Sequence, residues 1–383
     1  FDRPHVYLTD EGTAYSDEVE RNISFQTAVL YWMISDLGAY DILHCHDHMT
    51  GLISFMMQFC PVFSSLRNKA SFFTIHNGQY RGVFDWSYAS LLPAFEESKS
   101  GMLDWDGMIN CLATAIKCSW RISTVSPSYL AEMQQDLDSL TSLVRFESYK
   151  SVGIINGIDT DLWNPKSDLM IYRPLKRSAT VFKAANKKEL ATEYGFNSGR
   201  MLLSFIGRFA YEKSADLLAG AFEKYLKENT DIHFFVLGSG DKAIERELLE
   251  LQKAYPNNLT VVIAYDEKLA HCIYAASDFI LMPSRFEPCG LNQMYAMRYG
   301  ALPVVRHTGG LIDTVPDIGD DGYGISFLRA SEEDIIYSIT RAMKLFEDKL
   351  EMKTLINRIM QIDFSWERSA AIYTNEYSLT LKQ

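Results

Sequence analysis

The chain has 383 residues, 47% of them hydrophobic and 22% charged, with a formal net charge of -12. That length exceeds what one hydrophobic core usually serves, so two domains are expected. The acidic balance argues against a nucleic-acid backbone or an anionic membrane as the main partner, but it allows anionic small molecules held by a local cluster of Lys and Arg.

The first dozen residues, FDRPHVYLTDEG, carry early charge and no apolar h-region, so no signal peptide is read there. They read instead as mid-domain strand and turn, which implies a chain that is processed, truncated or incompletely covered. SFQTAVLYWMISDL follows with helical spacing. DILHCHD is a strand, and LHCHDHMTG places His44, His46 and His48 on alternate residues at its end. Zinc-hydrolase spacing fails here, because Asp47 follows His46 directly where that motif inserts a residue, and no ligand set is fixed. GLISFMMQFCPVF is interrupted by Ser54 and Gln58 and falls short of a bilayer span. KASFFTIH is a second strand ending at His76 and Asn77. GMINCLATAIKC reads as helix, then WRISTVSP and SVGIING as strands. In NGIDTDLWNP, Asp159 and Asp161 form a superficial metal-binding DxD, but the Asn-Gly turn and the following Trp-Asn-Pro favour a domain-exit loop. Six scattered cysteines without a CxxC pair indicate reduced thiols and a cytosolic chain.

Residues 163–188 lack a clear period and are read as the connection between two α/β domains. Beyond them the strands MLLSFIGR, IHFFVLGSG, LTVVIAYD, FILMPSR and ALPVVRH alternate with helical stretches such as AIERELLELQKAY and EDIIYSITRAMKLFED. Alternation of this kind denotes βαβ units and a parallel sheet, whose carboxyl edge is where ligands bind.

Three turns on that edge carry chemistry. In PSRFEPCGLNQMYAM, a buried strand runs into Glu287, Pro288, Cys289 and Gly290, with a helix expected to begin near Gly290 and direct free amides at the turn. Glu287 suits sugar hydroxyls or positive charge at an anomeric carbon, and equally suits a helix cap. VVRHTGGLIDTV repeats the strand–turn–helix layout around Thr308, Gly309 and Gly310, whose missing Cβ atoms let backbone approach a phosphate. IGRFAYEKSADLL supplies Arg208 after a strand and Lys213 at an expected helix start. Together they suit a diphosphate leaving group; separately they are solvated surface cations. His76 is either a structural histidine or a hydrogen-bonding partner of a sugar. No Walker motif is present.

Taken together, YLTDEGTAYSDEVERN, LHCHDHMTGL, FTIHNGQYRGVF, STVSPSYLAEM, GIINGIDTDLWNP, IGRFAYEKSADLL, the block at 283–315 and DFSWERSA resemble the glycogen and starch synthases, glycosyltransferase family 5. The resemblance implies the GT-B fold: two Rossmann-like domains facing across a cleft. It sets them at 1–163 (acceptor side, incomplete) and 164–366 (nucleotide-sugar side), with a terminal helix at 367–383 returning to the first. It implies a retaining hexosyltransferase that carries glucose from ADP-glucose or UDP-glucose to the non-reducing end of an α-1,4-glucan. Arg208 and Lys213 would hold the diphosphate, and Thr308, Gly309 and Gly310 would contact it through backbone. Glu287, Cys289, Gly290, Leu291, His76 and Asn156 would surround the glucosyl unit, with Asp47 nearby and Tyr265 stacked on the base. Glu287, His76, Arg208 and Lys213 form the catalytic set. The donor phosphate helps accept the proton, so neither a metal nor another cofactor is expected. Nor is any nucleic-acid or membrane partner. The location would be cytoplasmic, or plastidic in a plant.

Two features depart from the family pattern, and one position separates the chain from a related family. Tyr295 stands where family 4 relatives carry a second Glu, as expected for the synthases. His48 replaces the Trp of HxHDW. The KxGGL loop that opens the family is not found, so roughly a hundred residues of an acceptor-side domain are expected to be missing. The alternative reading is a non-catalytic relative that binds nucleotide sugar or glucan in a regulatory role.

Overall fold

The computed structural model describes residues 15–35 and 40–382, together with Arg3, Thr9 and Thr13. The strand-and-turn reading of residues 1–12 therefore lies almost wholly outside the described residues. Two compact units are present, Phe1–Ile154 with Ala371–Gln383, and Ile155–Ala370. The sequence reading set its own divisions at 163 and 366.

The first unit runs α1 (Glu18–Ser35), β1 (Ile42–His46), α2 (Ile53–Phe59), β2 (Ala70–Ile75), β3 (Val83–Phe84), β4 (Asp104–Trp105), β5 (Met108–Asn110), α3 (Cys111–Cys118), β6 (Arg121–Thr124), α4 (Pro127–Gln135), α5 (Thr141–Phe146) and β7 (Ser151–Gly153). Its main sheet is parallel in the order β1-β2-β6-β7, and β3-β5-β4 form a small antiparallel sheet. Every residue of β2 is buried, which is why ASFFTI reads as an unbroken apolar run rather than an alternating one. Phe55, Phe63, Phe72 and Phe73 fill the core around it.

The expected helix GMINCLATAIKC is shorter than the pattern implied. Its opening residues Met108–Asn110 form β5, because they pair with Val83–Phe84 and with Asp104–Trp105. Asn110 then caps α3 by accepting a hydrogen bond from the Ala113 amide.

The second unit continues with α6 (Ala179–Tyr194), β8 (Met201–Ile206), α7 (Leu218–Leu226), β9 (Ile232–Gly238), α8 (Lys242–Ala254), β10 (Leu259–Ile263), α9 (Glu267–Ala276), β11 (Phe279–Met282), α10 (Asn292–Arg298), β12 (Leu302–Arg306), α11 (Gly310–Thr314), β13 (Ile325–Phe327), α12 (Glu332–Glu347) and α13 (Lys349–Ile359). The last helix, α14 (Trp366–Thr380), contributes its residues from Ala371 onward to the first unit. The sheet is parallel throughout, in the order β10-β9-β8-β11-β12-β13. From β8 the chain lays strands first to one side and then, from β11, to the other. Ligands of doubly wound sheets bind at that reversal, just beyond the carboxyl ends of the strands.

All seven residues of β9 and all four of β11 are buried. Phe222 of α7 lies flat on Phe234 at a centroid distance of 3.9 Å. Each such ring contributes about 1.5–3 kcal/mol by leaving water, so the strands that carry the edge turns are firmly fixed.

The segment 163–188 is not a loop throughout, since its second half enters α6. Ser178 caps that helix and Gly195 ends it at φ 74 in the left-handed region.

Candidate active site

In the second unit the ends of β8 and β9 come into backbone contact. A Cβ on Gly238 would stand 1.9 Å from the Gly207 carbonyl oxygen, so only glycine permits this approach. Arg208 follows, 68% exposed at its side chain, and its guanidinium donates to Glu212 at 2.7 Å.

The chain then makes the 3-10 turn Tyr211–Lys213 and a left-handed residue at Ser214 (φ 54). α7 starts only at Leu218, so the helix start expected at Lys213 comes later. What positions Lys213 is a clamp from the β11 edge. The amides of Arg285 and Phe286 donate to the Glu212 carbonyl at 2.9 and 3.3 Å. The Arg285 guanidinium donates to the Tyr211 carbonyl at 2.8 Å and forks onto Asp216 at 2.5 and 2.8 Å. A bidentate pair fixes direction as well as distance.

The clamp delivers Lys213 Nζ to 2.6 Å from Glu287 Oε2, with side-chain exposures of 26% and 9%. Ser284 Oγ donates to the same oxygen at 2.9 Å. The Glu287 carboxylate is thus held from two sides at the mouth of the β8/β11 reversal, with a cation beside it.

The two glycine turns pack against each other. The Gly310 amide donates to the Glu287 and Pro288 carbonyls, both at 3.1 Å. A Cβ at Gly309 (φ 45) would lie 2.1 Å from the Glu287 oxygen, and one at Gly310 would lie 2.3 Å from the Cys289 oxygen. Gln293 Nε2 ties the Cys289 and Gly290 carbonyls to Thr314 Oγ1 at 3.2, 3.0 and 3.1 Å. Thr308 is buried beside them.

The helix expected near Gly290 begins two residues later. Gly290 sits at φ 72 and Leu291 is non-helical, which delays the first turn to Asn292. α10 and α11 have 7 and 5 residues, too short for much summed dipole. What this edge offers an anion is Lys213, while the missing Cβ atoms of Gly309 and Gly310 are what let the two turns pack together. Asn292 Nδ2 donates to the Ile206 carbonyl at 2.7 Å and pins α10 to the end of β8.

Burial pushes the Cys289 thiol up to about 12, with the Asn156 backbone pulling weakly the other way. It is a neutral thiol in the turn and no nucleophile at neutral pH.

A cavity of about 480 Å³ opens beyond β8, β9 and β10, lined by Arg208, Gly238, Ser239, Tyr265, Trp163 and Tyr295 among others. Tyr265 is 94% exposed at its rim. Trp163 is sandwiched between His271 (3.7 Å, 15°) and Tyr295 (3.8 Å, 20°). His271 Nδ1 bonds Asp168 at 2.7 Å, and the Tyr299 hydroxyl donates to the same carboxylate oxygen at 2.5 Å. Sequence reasoning missed this stack and its buried support, along with Ser284, Arg285 and Asp216. Of these only Ser284 carried a local signal, three residues before Glu287. Asp159 is a turn cap, accepting from the Asp161 and Leu162 amides at 3.0 Å each, which is the exit-loop role read from NGIDTDLWNP.

In the first unit Asp47 and His76 end neighbouring strands. Asp47, at φ 57, accepts the His76 amide at 2.8 Å. A non-glycine residue there is strained and held by its surroundings. His46 Nδ1 lies 3.0 Å from His76 Nε2. His44 uses both ring nitrogens, on the Tyr377 hydroxyl and on Thr74 Oγ1, at 2.7 Å each. Burial lowers His44 to about 3, with His46 and His76 adding to the shift. Burial and His76 also lower His46. Both imidazoles are neutral at pH 7.

A doubly wound parallel sheet with polar side chains at the β8/β11 reversal, in a chain whose other unit is also built on a parallel sheet, fits one class: a GT-B glycosyltransferase. A solved sucrose-phosphate synthase from Thermosynechococcus elongatus shares this fold, with a TM-score of 0.63 at 16% identity over 98% of this chain and 81% of that one. The sequence profile of the starch synthase catalytic domain matches residues 1–145, and that of the group 1 glycosyl transferases matches 186–354. A glycogen synthase of Flavobacterium johnsoniae is 46% identical over 385 aligned residues, which span 100% of this chain and 80% of that protein. The catalytic domain of starch synthase IV from Arabidopsis thaliana, solved with ADP and acarbose, superposes with a TM-score of 0.86 at 32% identity, over 97% of this chain and 79% of that one. The chain belongs to the glycogen and starch synthase family of glycosyltransferases.

Proposed function

We propose that the chain transfers glucose from a nucleoside diphosphate glucose to the non-reducing end of an α-1,4-glucan, with retention of anomeric configuration. The observation that carries the assignment of roles is the Lys213–Glu287–Ser284 cluster at the β8/β11 reversal. A departing nucleoside diphosphate gains negative charge as the glycosidic bond breaks. A fixed ammonium lowers that barrier because it is already oriented when the charge develops. Arg208 adds a second cation, and Thr308, Gly309 and Gly310, whose turn packs on the Glu287 and Cys289 carbonyls, complete the proposed phosphate contacts.

Glu287, held by Lys213 and Ser284, is set to accept from glucosyl hydroxyls and to offset positive charge at the anomeric carbon. Cys289, Gly290, Leu291 and Asn156 flank it in this reading. The family resemblance adds Asp47 and His76 to the donor set, and within the first unit the His76 amide fixes the Asp47 carboxylate. The donor phosphate accepts the acceptor hydroxyl's proton on the same face, so no separate protein base is invoked. No metal is needed, because Lys213 and Arg208 supply the charge that a divalent ion would bring.

The base sits in the aromatic-lined cavity against Tyr265, with Trp163 and Tyr295 as a wall. Adenine is the favoured base, since the Arabidopsis starch synthase IV domain is bound to ADP. No helix among the described residues is long and apolar enough to cross a membrane. A cytoplasmic location goes with this reading and is checked by cell fractionation.

The deciding experiment incubates the protein with glycogen and labelled ADP-glucose or UDP-glucose. Elongation of the glucan, faster with ADP-glucose, is expected. Nucleotide binding without elongation would instead establish the non-catalytic alternative. Activity unchanged by EDTA is expected, and activity lost with EDTA and restored by a divalent cation would refute the metal-free reading.

A further inference from the structure

A different cavity in the second unit, of about 370 Å³, is lined by Lys166, Arg177, Arg298, Ser178, Asn357 and Gln361 among others, and its lining contains no carboxylate. This is unusual for a chain of net charge -12. Several other cations of the same unit are ion-paired: Arg208 with Glu212, Lys213 with Glu287, Arg285 with Asp216, Arg329 with Asp334 and Arg341 with Asp317. Lys166, Arg177 and Arg298 form no ion pair among the described residues. Asp363 senses Arg298, but that carboxyl is held low first by its hydrogen bonds to Ser365 and only last by Arg298. Its Oδ1 accepts the Ser365 amide at 2.8 Å.

Three like charges around one concavity repel one another until an anion enters. Two guanidinium groups and one ammonium lining one cavity offer a phosphate both charge and hydrogen-bond donors. Arg298 spends its Nε on the Trp163 carbonyl at 3.2 Å, which leaves its terminal nitrogens for a ligand. The 16-residue helix α6 also begins at this wall, capped by Ser178. Its first amides lack intrahelical acceptors, which adds to the preference for negative charge. The volume falls in the range of roughly 300–1,000 Å³ typical of small-molecule sites, so it fits a small molecule rather than a polymer.

We propose that this cavity is a second anion site, separate from the donor pocket, which takes the phosphate group of a small phosphorylated metabolite. The assignment does not depend on the donor reading, because none of Lys166, Arg177, Asn357 and Gln361 lines the aromatic cavity.

The test titrates inorganic phosphate, and separately a hexose monophosphate, into the full chain in saturating ADP, with heat as the readout. One saturable site is expected. The Lys166→Gln/Arg177→Gln double variant should bind at least about tenfold more weakly, the loss of roughly 1.4 kcal/mol expected when charge-assisted contacts are removed. Arg177→Lys should bind more weakly than wild type and more tightly than Arg177→Gln, because the charge stays and the fork is lost. Both positions are exposed, so an unchanged thermal midpoint is expected to show that the double variant is folded. No saturable binding by the wild-type chain, or equal affinity in the double variant, overturns the proposal. Failure of ADP to bind while phosphate still binds would count against the donor pocket and leave this site standing.

Discussion

Replacing Lys213 by Ala separates the catalytic from the structural consequence of one contact. The Nζ group lies 2.6 Å from Glu287 Oε2, and the carboxylate side chain is only 9% exposed. Breaking a fully buried pair costs about 3–5 kcal/mol because the remaining charge is stranded. Here the lysine is 26% exposed and Ser284 still donates to the same oxygen, so solvent and the hydroxyl absorb much of the loss. A cost of about 1–2 kcal/mol is expected, a fall in melting temperature of roughly 2–8 °C for a domain of this size. The effect on transfer is larger. Losing one preorganised charge at the departing diphosphate costs about 2.7–4 kcal/mol of transition-state stabilisation, or 10²–10³ in kcat. Initial rates of glucan elongation at saturating donor, with thermal melting run beside them, separate the two. A folded Lys213→Ala protein with kcat within about threefold of wild type, under 0.7 kcal/mol, refutes the assignment of Lys213 to the leaving group.

Gly310→Ala places a Cβ 2.3 Å from the Cys289 carbonyl oxygen, so the two turns must separate. A destabilisation of about 1–3 kcal/mol in urea melts is expected, with transfer falling further than stability does. Tyr265→Ala removes an exposed ring. It should raise KM for the nucleotide sugar about fivefold, roughly 1 kcal/mol of stacking, and leave both kcat and melting temperature unchanged. Burial lowers His44 to about 3 and His233 to about 4 from an ordinary 6.5, and lowers His46 and His48 as well. Between those values the unfolded chain binds protons that the folded chain refuses. Stability is therefore full above pH 6.5 and declines as pH falls from 6.5 toward 4, read as a falling urea midpoint. A flat profile over that interval would contradict the burial of these rings. Cys289, pushed up to about 12 by burial, should resist alkylation at pH 8 in the folded protein, as followed by mass spectrometry.

Much of the second unit was legible because its strands are buried on both faces and read as unbroken apolar runs, such as IHFFVLG and FILM. The edge turns were legible for the same reason, since a Gly or charged residue stands out at the end of such a run. α6 was hidden because its inward face is partly polar. Lys183, Asn186 and Lys187 are all buried there, on the Tyr274 carbonyl, the Arg173 carbonyl and Asp278 respectively. β5 carried a local signal that the reading missed, since it pairs with β4 across the tight Asp106–Gly107 turn, while its other partner, Val83–Phe84, lies well upstream. The clamp of Arg285 on Asp216, which sets Lys213 against Glu287, joins residues 69 apart in sequence, and no local pattern announces it. The Trp163 stack likewise draws rings from the exit loop, α9 and α10.

That stack gives the protein an optical property. Trp163 is one of six tryptophans and lines the aromatic cavity while pressed between an imidazole and a phenol ring. Nucleotide entering that cavity is expected to change the surroundings of this indole and so the intrinsic fluorescence of the chain, and Trp163→Phe is expected to remove the change.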